Sequence, residues 1–199
     1  MPEVTEKIVF FDEFSLTDRP SIFYGWAPVN TKFQVPSDER KKRARLNGLL
    51  AVDAINGREY IQLSKEAKTE DIVDYFYHLS IDVKNEGCDL LTVFIDNNST
   101  HKDKMRYNLW LKMRSNPVLQ DFRVLFINTP SYSPDFNLAE YIIHQLRLKL
   151  LHHLPAKTTL TDIADKIRAF LKKGQLQTQE QVRNTINHIL KLGGVECGI

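Results

Sequence analysis

The chain has 199 residues, 42% apolar and 26% charged, enough to bury one substantial core, and no stretch is long and apolar enough to span a bilayer. A formal net charge of +2 is too small to predict a nucleic-acid partner by itself. Only Cys88 and Cys197 are present, without a CxxC pair, which excludes a cysteine-built zinc site and suits a reducing, cytoplasmic setting.

The first apolar run, Ile8-Val9-Phe10-Phe11-Asp12, predicts a strand over about residues 7–12. Residues 21–36 predict a hairpin, with Ile22, Phe23, Tyr24 and Trp26 leading to a turn at Pro28-Val29-Asn30. Residues 45–54 and 58–63 predict two more strands, turned by Asn56-Gly57, a dipeptide suited to tight hairpins. From Thr69, a candidate N-cap, the period becomes helical, with Ile72, Tyr75, Phe76 and Leu79 on one face. A strand ending at Asp96 follows, then a loop over 97–102 and a helix carrying Leu109, Trp110 and Met113 that Asn116-Pro117 breaks. The run Val124-Leu125-Phe126-Ile127-Asn128 predicts a strand over 123–128, and Ser133-Pro134 a turn into a helix from about Phe136 to His153. Two closing helices are expected near 161–173 and 178–192, with Thr178 and Gln181 placed as a capping box. The order predicts an α/β fold, a mixed sheet with helices packed on it.

Three carboxylates stand out against this scaffold. Asp12 and Asp96 each follow a continuous apolar run of the kind that forms central, doubly buried strands. A carboxylate there is costly to bury unless it meets a cation or another partner. Side chains alternate along a strand, so Asp12 and Glu13 point to opposite faces and only Asp12 is expected in the site. Glu140 falls in the first turns of its helix, where a carboxylate complements the helix dipole. Asn137, three positions earlier, and His144, four later, share its face, and Asn137 is placed to hold Glu140 or a ligand water. Asp12, Asp96 and Glu140 together would make a site for divalent cations, which prefer hard oxygen ligands. Two such ions roughly 3.5–4 Å apart serve phosphoryl transfer by activating the attacking oxygen and stabilising the leaving one.

Basic residues cluster near these positions. Arg40, Lys41, Lys42, Arg43 and Arg45 lie between two predicted strands, Lys102 follows Asp96, and Arg147 follows Glu140. Any one cluster reads most simply as a solvated surface; clusters after both ligands favour a path for a phosphate backbone. His101, just after Asp96, is a candidate for DNA phosphate, though a polar loop position is its simpler role.

Four segments carry a family resemblance: Phe10-Phe11-Asp12-Glu13, Tyr24-Gly25-Trp26-Ala27-Pro28, Ile95-Asp96-Asn97-Asn98-Ser99-Thr100-His101-Lys102, and Pro130-Ser131-Tyr132-Ser133-Pro134-Asp135-Phe136-Asn137-Leu138-Ala139-Glu140. Together they resemble the catalytic domain of DDE transposases, within the mariner-like superfamily of bacterial insertion sequences. The resemblance implies a ribonuclease H-like fold, an Asp12–Asp96–Glu140 triad holding two Mg²⁺ or Mn²⁺ ions, and DNA strand cleavage followed by 3′-OH strand transfer. It also implies TA target sites, whose step deforms easily, a homodimer or larger complex, and a bacterial, nucleoid-associated setting without a membrane partner. The 44 positions from Asp96 to Glu140 exceed the family's usual interval. Leu138-Ala139 stands where Pro-Ile is common, and a tryptophan usual after the glutamate is absent. The expected organisation is one ribonuclease H-like domain over 1–199, with 156–199 a helical extension. The helix-turn-helix modules that precede such domains are not expected here, and DNA-end recognition is expected from a separate polypeptide.

The alternative is a domesticated, non-catalytic domain that binds DNA or protein, which predicts a lost ligand; all three are present. Another ribonuclease H-like nuclease fits the Tyr132-Ser133-Pro134…Asn137…Glu140 segment less well. A dinucleotide-binding enzyme is disfavoured because no GxGxxG follows any strand.

Overall fold

The computed structural model describes residues 5–17, 28–31, 45–98, 101–130, 133–151, 154 and 158–195. The hairpin expected over 21–36 lies largely outside these residues, as do Arg40, Lys41, Lys42 and Arg43 of the basic cluster.

Five strands form one mixed sheet: β1 (Glu6–Thr17), β2 (Arg45–Asp53), β3 (Glu59–Ser64), β4 (Leu90–Ile95) and β5 (Arg123–Asn128), in the order β3-β2-β1-β4-β5. β1 runs antiparallel to β2, and β2 to β3; β4 and β5 join in parallel on the other side of β1. This is the mixed sheet expected of a ribonuclease H-like fold. Asp53 organises the β2–β3 turn, accepting from the N–H groups of Ile55 (2.8 Å) and Asn56 (3.1 Å), while Gly57 takes φ +76°.

β1 is longer than its apolar run. Its pairing with β4 stops at Phe10↔Phe94, but its pairing with β2 continues from Val9↔Asp53 to Thr17↔Arg45. Asp12 is therefore mid-strand, where the sheet loses one neighbour. The apolar run ended the predicted strand early because the later residues alternate Phe14 and Leu16, both buried, with polar partners.

Two cores sandwich the sheet. α1 (Thr69–Asn85) and α2 (Asp103–Arg114) cover one face, where Phe11 packs at 4.7 Å from the Phe76 ring and 5.4 Å from Tyr75. Truncating so central a ring costs about 3–5 kcal/mol. α3 (Leu138–Leu146), α4 (Leu160–Lys173) and α5 (Gln179–Leu192) cover the other face with Phe10, Phe14, Leu50 and Val52. The Phe14 ring lies over Gly48, where an added Cβ would come within 2.2 Å of it. No helix among the described residues is long and apolar enough to cross a membrane.

Three boundaries differ from the sequence reading. α1 is capped at Lys68, whose N–H is taken by the Asp71 carboxylate at 2.9 Å, so Thr69 is its first helical residue. The helix expected from Phe136 is three pieces: a 3-10 turn over Pro134–Phe136, α3 itself, and a π turn over Arg147–Leu151. Pro134 starts the first piece, the Asn137 side chain starts the second by accepting from Ala139 N–H, and the wider last turn buries both Leu150 and Leu151. α4 and α5 begin at capping boxes, Thr159 with Asp162 and the expected Thr178 with Gln181. Their junction is tied to the sheet: the Glu59 carboxylate accepts from Leu176 N–H at 2.8 Å, and Lys149 Nζ donates to the Leu176 carbonyl.

Candidate metal and nucleic-acid site

The register of β1 on β4 puts two carboxylates side by side. Phe10 and Phe94 are Cα partners whose rings stack at 4.7 Å and 13°. Asp12, two residues further along β1, and Asp96, one residue past the end of β4, follow on the same face, beyond the last paired residues. The parting strands open a cleft of about 430 Å³, lined by Asp12, Asp96, Asn97, Thr129, Asn137 and Glu140 among others. Such crevices, beyond the carboxyl ends of parallel strands, are where open α/β sheets bind ligands.

Glu140 reaches this cleft because Asn137 fastens α3 to β1. Asn137 is 4% exposed; its amide Nδ2 donates to the Phe11 carbonyl at 3.1 Å while its Oδ1 caps Ala139 N–H at 3.1 Å. One Nδ2 hydrogen and one Oδ1 lone pair are thus engaged by backbone, while the side chain still lines the cleft beside Glu140. His144 is exposed and does not line the cleft.

The electrostatics of the acids differ. Burial pushes the Asp12 carboxyl well above the usual carboxylate range, and the adjacent Glu140 carboxylate adds to the rise by charge and by a shared hydrogen bond. The Glu13 N–H, at 2.8 Å, opposes it only in part. Asp96 moves the other way, held down chiefly by a hydrogen bond from His101, with Asn98 N–H at 3.1 Å assisting. Two crowded acids beside a stabilised third form a set that a divalent cation would neutralise, and the donors are hard oxygens.

His101 does not face solvent or a phosphate path, which corrects the DNA-contact reading. It is 2% exposed, with Nδ1 at 2.6 Å from Asp96 Oδ1 and Nε2 at 3.0 Å from Glu13 Oε1. Burial disfavours its charge, yet the bonds to Asp96 and Glu13 raise its pKa to about 9. The ligand atoms of Glu13, Asp96 and His101 converge within 4.8 Å of one another. Both ring nitrogens are engaged by carboxylate oxygens, so neither is turned to open space where a metal could bind. Alternation along β1 gives the face of Glu13, but nothing in the sequence signals that the turn before α2 folds onto that face.

Of the expected DNA contacts, Arg45 and Arg147 line a second cleft of about 400 Å³ that shares Asp12, Asp96 and Asn98 with the first. Lys102 is exposed at the start of α2 and lines neither.

A family model described as DDE superfamily endonuclease matches residues 7–161. No curated protein matches the chain. Among solved structures, it is similar to the Mos1 transposase paired-end complex with left transposon end, at TM-score 0.66 and 11% identity over 92% of this chain and 52% of that one. The Mos1 strand transfer complex aligns at TM-score 0.67 and 11% identity, over 93% and 52% of the two chains. The mariner Mos1 paired-end complex with Mn aligns at 0.66 and 13%, over 93% and 53%. At such identities the likeness shows a shared ribonuclease H-like fold, and this chain spans about half the length of those proteins.

Proposed function

The chain belongs to the DDE superfamily of endonucleases, and on that premise we propose that it is the catalytic domain of a DNA transposase, with Asp12, Asp96 and Glu140 as its metal-holding carboxylates. The observation that carries the reading is the meeting of these three acids on one open cleft, two of them crowded enough to want a cation. Mg²⁺ or Mn²⁺ held there, as two ions, would activate a water or 3′-hydroxyl and stabilise the oxygen leaving the phosphodiester. Mos1 paired-end complexes solved with Mg and with Mn support that choice of ions.

The protein's own part is placement. The pairing of β1 with β4, which ends at Phe10 and Phe94, brings Asp12 and Asp96 to one face, and Asn137 sets Glu140 against Asp12. Arg45 and Arg147, in the cleft that shares Asp12 and Asp96, are proposed to grip phosphates flanking the scissile one. Arg40, Lys41, Lys42 and Arg43, just before Arg45 in sequence, and Lys102 at the α2 start are proposed to extend that path. The substrate class is duplex DNA, cleaved by water and then joined to target DNA by the freed 3′-hydroxyl. We further propose one ribonuclease H-like domain whose residues 156–199 are a helical extension, working on DNA in a homodimer or larger assembly.

Nicking of supercoiled plasmid in Mg²⁺ and in Mn²⁺, with wild type and Asp96→Ala, tests this. Cation-dependent nicking that Asp96→Ala loses supports it. A cation-independent product, or one that survives the substitution, sinks the assignment.

A further inference from the structure

The structure assigns Glu13 and His101 to a positioning device for Asp96: a carboxylate–imidazole–carboxylate bridge that passes from one face of β1 to the acid on the other side. This rests on the reading of Asp96 as a metal-holding carboxylate. Asp96 lies one residue beyond β4 and its side chain is half exposed, so strand pairing alone does not fix its rotamer. His101 does, through Nδ1 at 2.6 Å, and Glu13 fixes the imidazole through Nε2 at 3.0 Å.

The bridge is itself held. The His101 N–H donates to the Asn98 carbonyl at 3.0 Å, and its carbonyl accepts from Arg106 Nε at 3.3 Å. Arg106 continues to Asn128 Oδ1 at 2.8 Å, and the Phe11 ring meets the imidazole edge-on at 5.7 Å. Glu13 is therefore required although it is absent from the cleft that Glu140 lines and borders only the second one, beside Arg45 and Arg147. Groups that orient a metal-holding side chain commonly change metal affinity 10–100-fold when removed.

The test is Mn²⁺ binding by calorimetry on wild type, Glu13→Ala, Glu13→Gln, His101→Ala, His101→Asn and His101→Gln, with thermal melts to establish folding. An Asn amide places its N–H donor where Nδ1 sits, whereas a Gln amide reproduces Nε2. The expected result is an affinity about tenfold weaker or more for Glu13→Ala, His101→Ala and His101→Gln. Glu13→Gln, which keeps an acceptor oxygen, and His101→Asn stay closer to wild type. A merely structural pair would lower melting temperatures and leave Mn²⁺ affinity unchanged in the folded variants; that result overturns the assignment. Equal loss in His101→Asn and His101→Gln, with Glu13→Ala unaffected, overturns it too, by making His101 a ligand. If wild type binds no Mn²⁺, the carboxylate-site reading fails. The carboxyl ¹³C resonance of Asp96 in cation-free protein then judges the bridge alone: movement in Glu13→Ala supports it, and no movement removes it.

Discussion

The sheet carries buried carboxylates at both ends of its strands, and they are treated in opposite ways. Asp53, 3% exposed, meets Lys7 Nζ at 2.9 Å and two backbone N–H groups of its own turn. Lys7 also meets Glu86 at 2.5 Å, which in turn binds Arg58 at 2.6 Å. Burial lowers the pKa of Lys7, but Glu86 and Asp53 more than reverse that, so the amine stays charged. At the other end Asp12 has one N–H, from Glu13, and a second carboxylate beside it. A buried acid whose charge is balanced by its own chain is architecture. One left facing another acid has a place for something from outside.

Substitutions at the two ends should separate them. The largest effect expected is loss of plasmid nicking in Asp12→Asn, Asp96→Ala or Glu140→Ala, read on gels, while Lys7→Met retains the activity of whatever fraction stays folded. Next is stability. Lys7→Met strands Asp53 without its cation and should cost about 3–5 kcal/mol in urea unfolding. Asp12→Asn should do the reverse in cation-free buffer, raising the melting temperature by a few degrees, as about 1 kcal/mol would in a chain of this size. A fall in melting temperature for Asp12→Asn would erase the contrast between the two ends. Smaller is the Mn²⁺-dependent rise in melting temperature, present in wild type and absent in Asp96→Ala.

The smallest is a pH effect at a third buried acid. Burial raises Glu59 from 4.5 to about 7, against N–H bonds from Leu176 and Gln177 and the charge of Lys149. The folded chain thus holds a proton that the unfolded chain releases, so this contribution is full below about pH 4.5 and is lost as pH rises towards 7. Melting curves of Glu59→Gln across that window should be flatter than wild type. Equal slopes would remove Glu59 as their source.

Much of the fold was legible because its signals are local. The apolar runs at β1, β4 and β5, the Asn56-Gly57 turn and the Thr178–Gln181 cap each act through neighbours in sequence. Asp12, Asp96 and Glu140 could be picked out as acids ending or following such runs, and they do line one cleft. What escaped depends on distant partners. The length of β1 is set by β2, the start of α3 by Asn137, and the role of Glu13 by a histidine 88 positions away. His101 reads as a polar loop residue because its burial comes from the packing of α2 on the sheet, which no local pattern encodes.

The amide of Asn137 has a consequence for how such chains can vary. Because it grips the Phe11 carbonyl directly, the third acid is located from β1 by one side chain and one helical turn. The length of polypeptide between the second acid and that amide does not enter. α2 and the sheet strand β5 both lie within the 44-position interval, and the connections between these elements can change length while Asn137 still locates Glu140 from β1. The invariant to seek in divergent relatives is the three-residue step from Asn137 to Glu140, rather than the count of residues from Asp96.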